Sequence, residues 1–419
     1  MAAGESSRFW PLNSRHKSLL KIMGKPLIWY TINGLRKAGV KEVIVVQGPK
    51  RDVEEELKTL PFCIENIQYV VQPEANGMSG AVMAAKPLIK GQFFVAFAHA
   101  VDCQEVVQKM LQKSRETGAK TVLVGQETKD PWLYGVARLE GDRLFEVVEK
   151  PEQGKEPSNI KINGIYLFDE KYVVCLQKVL GTTHFNKEFE LGVSEYAKEN
   201  DARIVILDKD YRGISLKYPW HLFKVQKYLF DNLLTKKSIA KSALVAKNAV
   251  IDGNVVIDEN AKIYEGAVIK GPCYIGDNSI IGNNSVVREY CDIEAGGMVG
   301  ALSEVTRSIF QPDVHIHSGY IGDSIFDRGV RVGAGAITAN IRVDRGEISA
   351  LVKREKDGVK VPAKISTGLK SLGVIIGKNS KIGARPTFMP ARFIGKNCLV
   401  GPNQLVMHNL DDNSVAGEE

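Results

Sequence analysis

The run IDGNVV-IDENAK-IYEGAV-IKGPCY-IGDNSI-IGNNSV, residues 251–286, decides the fold of the second half of the chain. Each hexad opens on isoleucine, and the series of branched residues extends without a slip from Val245 to Val299. Four residues after each sits a small or slim side chain: Ala249, Val255, Ala261, Ala267, Cys273, Ser279, Ser285, Cys291 and Gly297. The period returns at Ile376, Ile382, Phe388, Ile394, Val400 and Val406. An amphipathic helix repeats every ~3.6 residues and a lone strand every ~2, so neither accounts for a period of six. A short fixed period marks a parallel β-helix, in which each hexad is one flat face and three hexads close a coil. The branched residue points inward and the small one lets the chain turn the corner. A single coil cannot cover its own apolar edge, so coils must stack.

A chain of 419 residues is expected to hold two domains. Its 44% apolar and 25% charged content is that of an ordinary soluble globular protein. The formal charge of +7 is spread along the chain and fits an anionic small substrate as well as a nucleic acid. The six cysteines form no C-x-x-C pair, and three fill small hexad positions, so reduced buried thiols are expected. No apolar run approaches the ~20 residues of a membrane span, and the start lacks the apolar region of a signal peptide. A cytoplasmic protein with no membrane or nucleic-acid partner is the expectation.

From Gly4 to about Leu222, short apolar runs alternate with helical stretches. Helices are expected from Pro26 to Lys37, Arg51 to Leu60, Ser79 to Leu88 and Asp102 to about Ser114, the last opened by an Asp102/Glu105 capping box. Strands are expected at Val43–Gln47, Ile67–Val71, Phe93–Phe97 and Thr121–Val124. Such alternation predicts a doubly wound, mostly parallel α/β sheet with ligands at the carboxyl ends of its strands. The opening Ala2-Ala3-Gly4-Glu5-Ser6-Ser7-Arg8 is a slim Gly/Ser loop with one cation, followed by Lys17 and Gly24-Lys25-Pro26. Little side-chain bulk lets backbone N–H groups approach phosphates, and fixed cations neutralise them.

In that order these pieces resemble the sugar-1-phosphate nucleotidyltransferases, whose signature runs L-A-A-G-x-G-x-R-x-x-P-L, then P-K and G-K-P. The resemblance implies nucleotide contacts at Ala2, Ala3, Gly4, Gln72 and Gly77, with Arg8 and Lys17 as catalytic cations on the phosphates. It implies sugar-phosphate contacts at Gly135 of Tyr134-Gly135-Val136, at Glu149 and Lys150, and at Asn163, with Glu188-Phe189-Glu190 as a further sugar contact. The implied reaction is in-line attack of a sugar phosphate on the α-phosphate of a nucleoside triphosphate, with Mg²⁺ as cofactor.

Three departures stand out. Ala98-His99 occupies the place of a Gly-Asp metal anchor and Ser215 that of a second Asp or Asn, leaving Asp102 as a possible metal ligand. Ser6 replaces the middle glycine of the signature. Met1 stands where most of a first strand is expected, so the central strand is expected to be missing, by truncation or a misassigned start, exposing the edges of its neighbours.

The second half resembles the left-handed hexapeptide-repeat β-helix of acyltransferases. Its His317-x-x-Tyr320-x-Gly322-Asp323, then Gly333-Ala334-Gly335-x-x-Thr338-x-Asn340, is similar to the acetyltransferase half of the bifunctional UDP-N-acetylglucosamine pyrophosphorylase/glucosamine-1-phosphate acetyltransferases, the archaeal-type branch above all. That implies His317 as general base toward an amine attacking acetyl-CoA, Tyr320 and Asn340 as contacts to the amino sugar phosphate, and a homotrimer. Imidazole, with an ordinary pKa near ~6.5, suits that task. His315 is expected to face away from His317. Arg307 is expected to compensate for Thr306, which stands near a lysine of the bacterial enzymes, and Lys364 or Lys370 to meet phosphate or CoA.

The expected architecture is therefore an α/β nucleotidyltransferase domain (1–222), a linker helix (223–238), a left-handed β-helix (239–411) and a tail (412–419). The functional alternatives are a two-site enzyme of nucleotide-sugar biosynthesis, or a degenerate binding module on an acyltransferase or a trimeric scaffold.

Overall fold

The computed structural model describes residues 1–60, 66–183, 185–208, 216–356 and 359–417, so Cys63 and Ser215 lie outside the described residues. The chain divides into two compact units. Met1–Glu5 with Leu27–Ile214 forms one, and Ser6–Pro26 with Ser215–Glu419 the other.

The first unit is α/β. Glu42–Gln47 pairs in parallel with Asn66–Val71. A six-stranded sheet runs in the order Phe93–Ala96, Ile160–Phe168, Thr121–Glu127, Ala202–Leu207, Arg143–Glu149, Gly135–Glu140. Ile160–Phe168 is antiparallel to both its neighbours, whereas Thr121–Glu127 and Ala202–Leu207 are parallel. The helices Leu27–Lys37 and Cys103–Thr117 bury their apolar stripes, including Ile28, Ile32, Leu35, Val106, Val107 and Met110. Asp102 holds the N-cap position of Cys103–Thr117 but makes no side-chain cap hydrogen bond, so the predicted capping box does not form.

Met1 and Ala2 lie between two strands that are otherwise unjoined. The Met1 amino group donates to Ala96 O at 2.8 Å and Met1 O accepts from Ala98 N, while Ala2 N donates to Val46 O at 2.7 Å. Ala2 thus pairs in parallel with Gln47. Behind this bridge lies an apolar cavity of about 410 Å³, lined among others by Ile44, Val45, Val82, Phe94 and Val95.

The second unit is a parallel β-helix with three sheets of eight, nine and eight strands. Val255, Ile257, Cys273, Ile275, Cys291 and Ile293 stack at successive coils and are fully buried or nearly so. The corners demand a left-handed backbone, taken by Asn260, Asn278, Asn284, Asn379, Asn397 and Asn403 with φ between 55° and 59°. Short amide side chains tolerate that region better than other side chains, which explains the Asn-rich spacing. Where the hexads loosen, aromatics fill the interior, with the Phe310 and Phe326 rings 5.1 Å apart edge to face. Phe326 pairs directly with Ile376, so the aperiodic stretch 341–372 leaves and re-enters within one turn. Most of it is a β-hairpin, Ile348–Lys356 against Val359–Leu369. Within the expected tail, Val415–Ala416 pairs with Leu399–Val400 and adds one more strand to the coil. The helix Leu222–Leu233 follows the short turn Pro219–His221. The five described cysteines are free and buried.

Candidate active sites

In the first unit, three of the predicted sugar-phosphate residues converge. Gly135 pairs with Glu149 across a hairpin, and a Cβ on Gly135 would stand 2.9 Å from Glu149 Oε2, so a larger residue there would push that carboxylate aside. Glu190 packs beside them, its Cγ 3.8 Å from the same point. Lys150 is exposed, in a left-handed conformation (φ 48°), with Nζ 3.4 Å from Glu149 Oε1. Burial, reinforced by the Glu149 carboxylate, pushes the Glu190 carboxyl up to about 8. Glu190 is therefore mostly protonated at neutral pH and able to donate. Its Oε2 and the Asn163 Nδ2 are buried without a hydrogen-bond partner. Native proteins leave few such groups unpaired, so these two valences suit a ligand's hydroxyls. Lys161 pairs with Val136, which sets the start of the Asn163 strand beside the Gly135 strand. Glu188, predicted with Glu190, instead accepts from Gly181 N at 2.8 Å and closes a turn, and Phe189 is core.

Of the predicted nucleotide contacts, Ala2 is buried, Ala3 half-buried and Gly4 exposed. Gln72 is buried, and its Nε2 donates to Asn76 Oδ1 at 2.6 Å and to Gly77 O at 3.1 Å. That leaves its carbonyl oxygen to accept. Gly77 opens its helix at φ 81°.

Arg8 and Lys17 belong to the second unit. Ser6 shows why its place suits glycine: its φ is 54°, and its hydroxyl accepts from Lys17 N at 3.2 Å. Lys17 Nζ donates to Leu216 O at 2.6 Å. Burial, with the Arg8 guanidinium adding repulsion, pulls the Lys17 ammonium down to about 8. Arg8 is exposed.

In the coil, the predicted acetyl-transfer residues form a connected group around one carboxylate. Asp323 is buried. It accepts from Arg307 Nε at 2.7 Å and Nη2 at 2.9 Å, from Asn340 Nδ2 at 2.5 Å and from Ser371 Oγ at 3.1 Å. Asn340 Nδ2 also reaches the Tyr320 hydroxyl at 3.3 Å. With both amide hydrogens so used, Asn340 presents its carbonyl oxygen as an acceptor, and the Tyr320 hydroxyl, accepting from Asn340, keeps its own proton to donate. A Cβ at Gly322 would lie 2.6 Å from Asn340 Nδ2 and 2.8 Å from the Tyr320 hydroxyl, so any side chain there would displace both groups.

His317 is exposed just beyond the strand His315–Ile316. Ile316 is the inward residue, fully buried, and both histidines face outward, because residues two apart share a face. This corrects the expectation that they diverge. His315 is held by Gly296 O and Asp313. Arg307 does not stand free to replace a lysine: Asp323 and Glu289 both hold its guanidinium.

The description "Nucleotidyl transferase" fits residues 1–220, and "Bacterial transferase hexapeptide (six repeats)" fits residues 254–289. The bifunctional sugar-1-phosphate nucleotidylyltransferase/acetyltransferase of Sulfurisphaera tokodaii is 30% identical over 419 residues, covering 98% of this chain and 97% of that one. The bifunctional protein GlmU of Methanocaldococcus jannaschii and that of Methanococcus aeolicus are each 29% identical, over 99% of this chain and 95% of theirs. The chain belongs to this bifunctional nucleotidyltransferase/acetyltransferase family.

As a member of that family it is a two-domain transferase of nucleotide-sugar biosynthesis. Among the described residues the fit to a protein-held Mg²⁺ is poor. His99 is buried with its ring stacked on Phe97 at 5.5 Å, and Asp102 is buried at the helix N-cap. Among the described residues no group of three His, Cys, Asp or Glu side chains could hold a metal ion. Imidazole is also a soft partner for a cation that prefers hard oxygen donors. Among the described residues no helix is long and apolar enough to cross a membrane.

Sequence reasoning noticed Asp323 as a motif letter but gave it no role, and missed Ser371 altogether. The signal for Asp323 was its acidic side chain directly after Gly322, at the end of the run that opens on His317. Ser371 left none, because it reaches the site only after the long hairpin returns.

Proposed function

We propose that the first unit binds a sugar 1-phosphate at Gly135, Glu149, Lys150, Asn163 and Glu190, and that Arg8 and Lys17 act on the phosphates during nucleotidyl transfer. The unpartnered Asn163 Nδ2 and Glu190 Oε2 carry this reading. A sugar phosphate oxygen attacks the α-phosphorus of a nucleoside triphosphate, the bond to the bridging oxygen breaks, and pyrophosphate leaves. Such a reaction asks for positioning and charge neutralisation more than covalent work. Lys150 supplies charge to the sugar phosphate, and the cation pair Arg8/Lys17 supplies it to the departing pyrophosphate. Gln72, with only its carbonyl oxygen left over, accepts from a base N–H. Among the described residues no set of side chains fits a bound Mg²⁺, and the chain's own cations supply charge to the phosphates.

In the coil, His317 takes the proton from the attacking amine of an amino sugar 1-phosphate. The nitrogen forms its bond to the acetyl carbonyl carbon as the C–S bond breaks, and CoA leaves as the thiol. Tyr320 as donor and Asn340 as acceptor orient the sugar. Acetyl-CoA is the cosubstrate. An exposed general base on a coil with exposed Leu302 and Leu405 supports completion of the site by neighbouring copies in a homotrimer. A soluble cytoplasmic location fits these substrates.

The test is pyrophosphate release with each of four nucleoside triphosphates and N-acetylglucosamine 1-phosphate or glucose 1-phosphate, beside CoA release from acetyl-CoA and glucosamine 1-phosphate. Release in both assays is expected, with His317→Ala abolishing only the second. Absence of pyrophosphate release from folded protein would refute the first assignment, and CoA release untouched by His317→Ala the second.

A further inference from the structure

Residues 6–26 carry Arg8, Lys17 and Gly24-Lys25-Pro26, yet they pack as part of the coil's unit. They cross successive turns of one sheet in strict order. Trp10 Nε1 donates to Asp412 at 2.9 Å, and its ring lies 6.2 Å from Phe393. Ser14 Oγ donates to Asp327 at 3.2 Å. Lys21 and Gln311 bond reciprocally, Lys21 N to Oε1 at 2.9 Å and Nε2 to Lys21 O at 2.8 Å. Met23 N is 3.3 Å from Asp292 Oδ2, and Gly24 N donates to Glu294 Oε1 at 2.9 Å. A Cβ on Gly24 would lie 2.6 Å from the Tyr274 hydroxyl.

The coil itself needs none of these polar groups. Its interior is filled by Ile293, Phe310 and Phe326, and the alternate, outward positions are free to take any residue that suits water. On this sheet the outward Tyr274, Ile309, Ile325, Ile375 and Phe393 are buried too. Asp292, Glu294, Gln311 and Asp327 are buried among them, and burying such groups is costly unless each finds a partner. The partners of Asp292, of Glu294 Oε1 and of Gln311 are main-chain atoms of 21–24, and Asp327 accepts from Ser14 Oγ through one oxygen and from Arg328 N of the coil, at 2.8 Å, through the other. Groups of this kind specify one placement of a segment, which apolar contact alone does not.

We infer that Asp292, Glu294, Gln311 and Asp327 of the β-helix are positioning residues for nucleotidyl transfer, fixing the segment that bears Arg8 and Lys17. The inference rests on the proposed roles of those two cations. A displacement of about 1 Å in a catalytic group costs up to ~100-fold in rate, so a loosened segment should be visible in turnover.

The experiment uses the full chain with Gln311→Ala, and with Ser14→Ala as a milder variant that leaves every coil residue in place. Both turnovers are measured on each protein, with peptide-level hydrogen exchange over 6–26. Expected are faster exchange in that segment and a fall of about 10- to 100-fold in pyrophosphate release for Gln311→Ala, a smaller fall for Ser14→Ala, and unchanged acetylation in both. A purely structural role would lower both activities together with the melting temperature, and that outcome overturns the inference. Unchanged exchange with unchanged pyrophosphate release overturns it as well. If the unaltered protein releases no pyrophosphate, the reading of Arg8 and Lys17 fails along with the catalytic half of the inference, and exchange alone then decides whether these residues dock the segment.

Discussion

Replacing Asp323 tests whether one carboxylate sets the polarity of the acetyl-transfer site. In Asp323→Ala, Arg307 loses both its bonds to that carboxylate, and Asn340 and Ser371 lose their acceptor. Breaking a fully buried ion pair costs ~3–5 kcal/mol. Arg307 is about one-third exposed (35%) and keeps Glu289, which reduces that figure to roughly 2–3 kcal/mol by solvent screening. Alanine at φ 46° adds ~1 kcal/mol of backbone strain. Asn340, left with only the 3.3 Å bond to Tyr320, can turn its amide over and present a donor where the substrate needs an acceptor. A tenfold rise in KM for the amino sugar phosphate, ~1.4 kcal/mol, is the expected outcome.

Asp323→Asn separates the two effects. Oδ1 serves Arg307 Nε and Ser371, whereas Oδ2 serves Arg307 Nη2 and Asn340. An amide placed with its nitrogen at the Oδ1 position keeps the bond to Asn340, since the Ser371 hydroxyl can rotate to accept, and opposes only Arg307 Nε. Asparagine also tolerates the left-handed backbone. This variant should lose stability yet keep a KM within about twofold of the unaltered protein. The assay is CoA thiol release at varied glucosamine 1-phosphate, beside thermal melting. Equal KM for all three proteins, or an equal rise in both variants, would refute the argument.

Three other outcomes follow from the same structure. Glu190 carries a proton up to about pH 8, so KM for the sugar 1-phosphate should rise as pH passes 8 and a second charge forms beside Glu149; Glu190→Gln should flatten that rise, and an identical profile would refute it. Glu294, facing Asp292, Asp258 and Lys21 in a buried setting, is pushed up to about 7 from an ordinary 4.5. A raised carboxyl gives stability that is complete below 4.5 and lost as pH rises through 7, on the order of 3 kcal/mol; melting from pH 4.5 to 8 should fall more steeply than in Glu294→Gln, and parallel curves would disprove it. A five-residue Val/Ile strand added ahead of Met1 should continue the Met1–Ala2 bridge into the cavity between Glu42–Gln47 and Phe93–Ala96. Two branched side chains buried there give about 3 kcal/mol, and a melting temperature unmoved by the addition would show that the strand does not enter.

The sequence alone determined the coil, because a six-residue period has one structural solution and the same side chains repeat it at every turn. It also determined the α/β alternation, and its resemblance to the sugar-1-phosphate nucleotidyltransferases named Gly135, Glu149 and Lys150 as a group. The pairing order of the sheet was not legible, since Ile160–Phe168 reads like any other apolar strand and only its neighbours make it antiparallel. Residues 6–26 read as part of the first domain because the motif begins there, whereas compactness assigns them to the second. Their partners Gln311, Asp292 and Glu294 lie some 270 to 290 residues away in sequence. The role of Asp323 depended in the same way on Ser371, which a 32-residue excursion brings back, 48 positions on, to the carboxylate. Local periodicity is written in neighbouring letters, and a single sequence can carry it. Hydrogen bonds between distant segments depend on where the chain returns, and that is decided only when the coil has stacked.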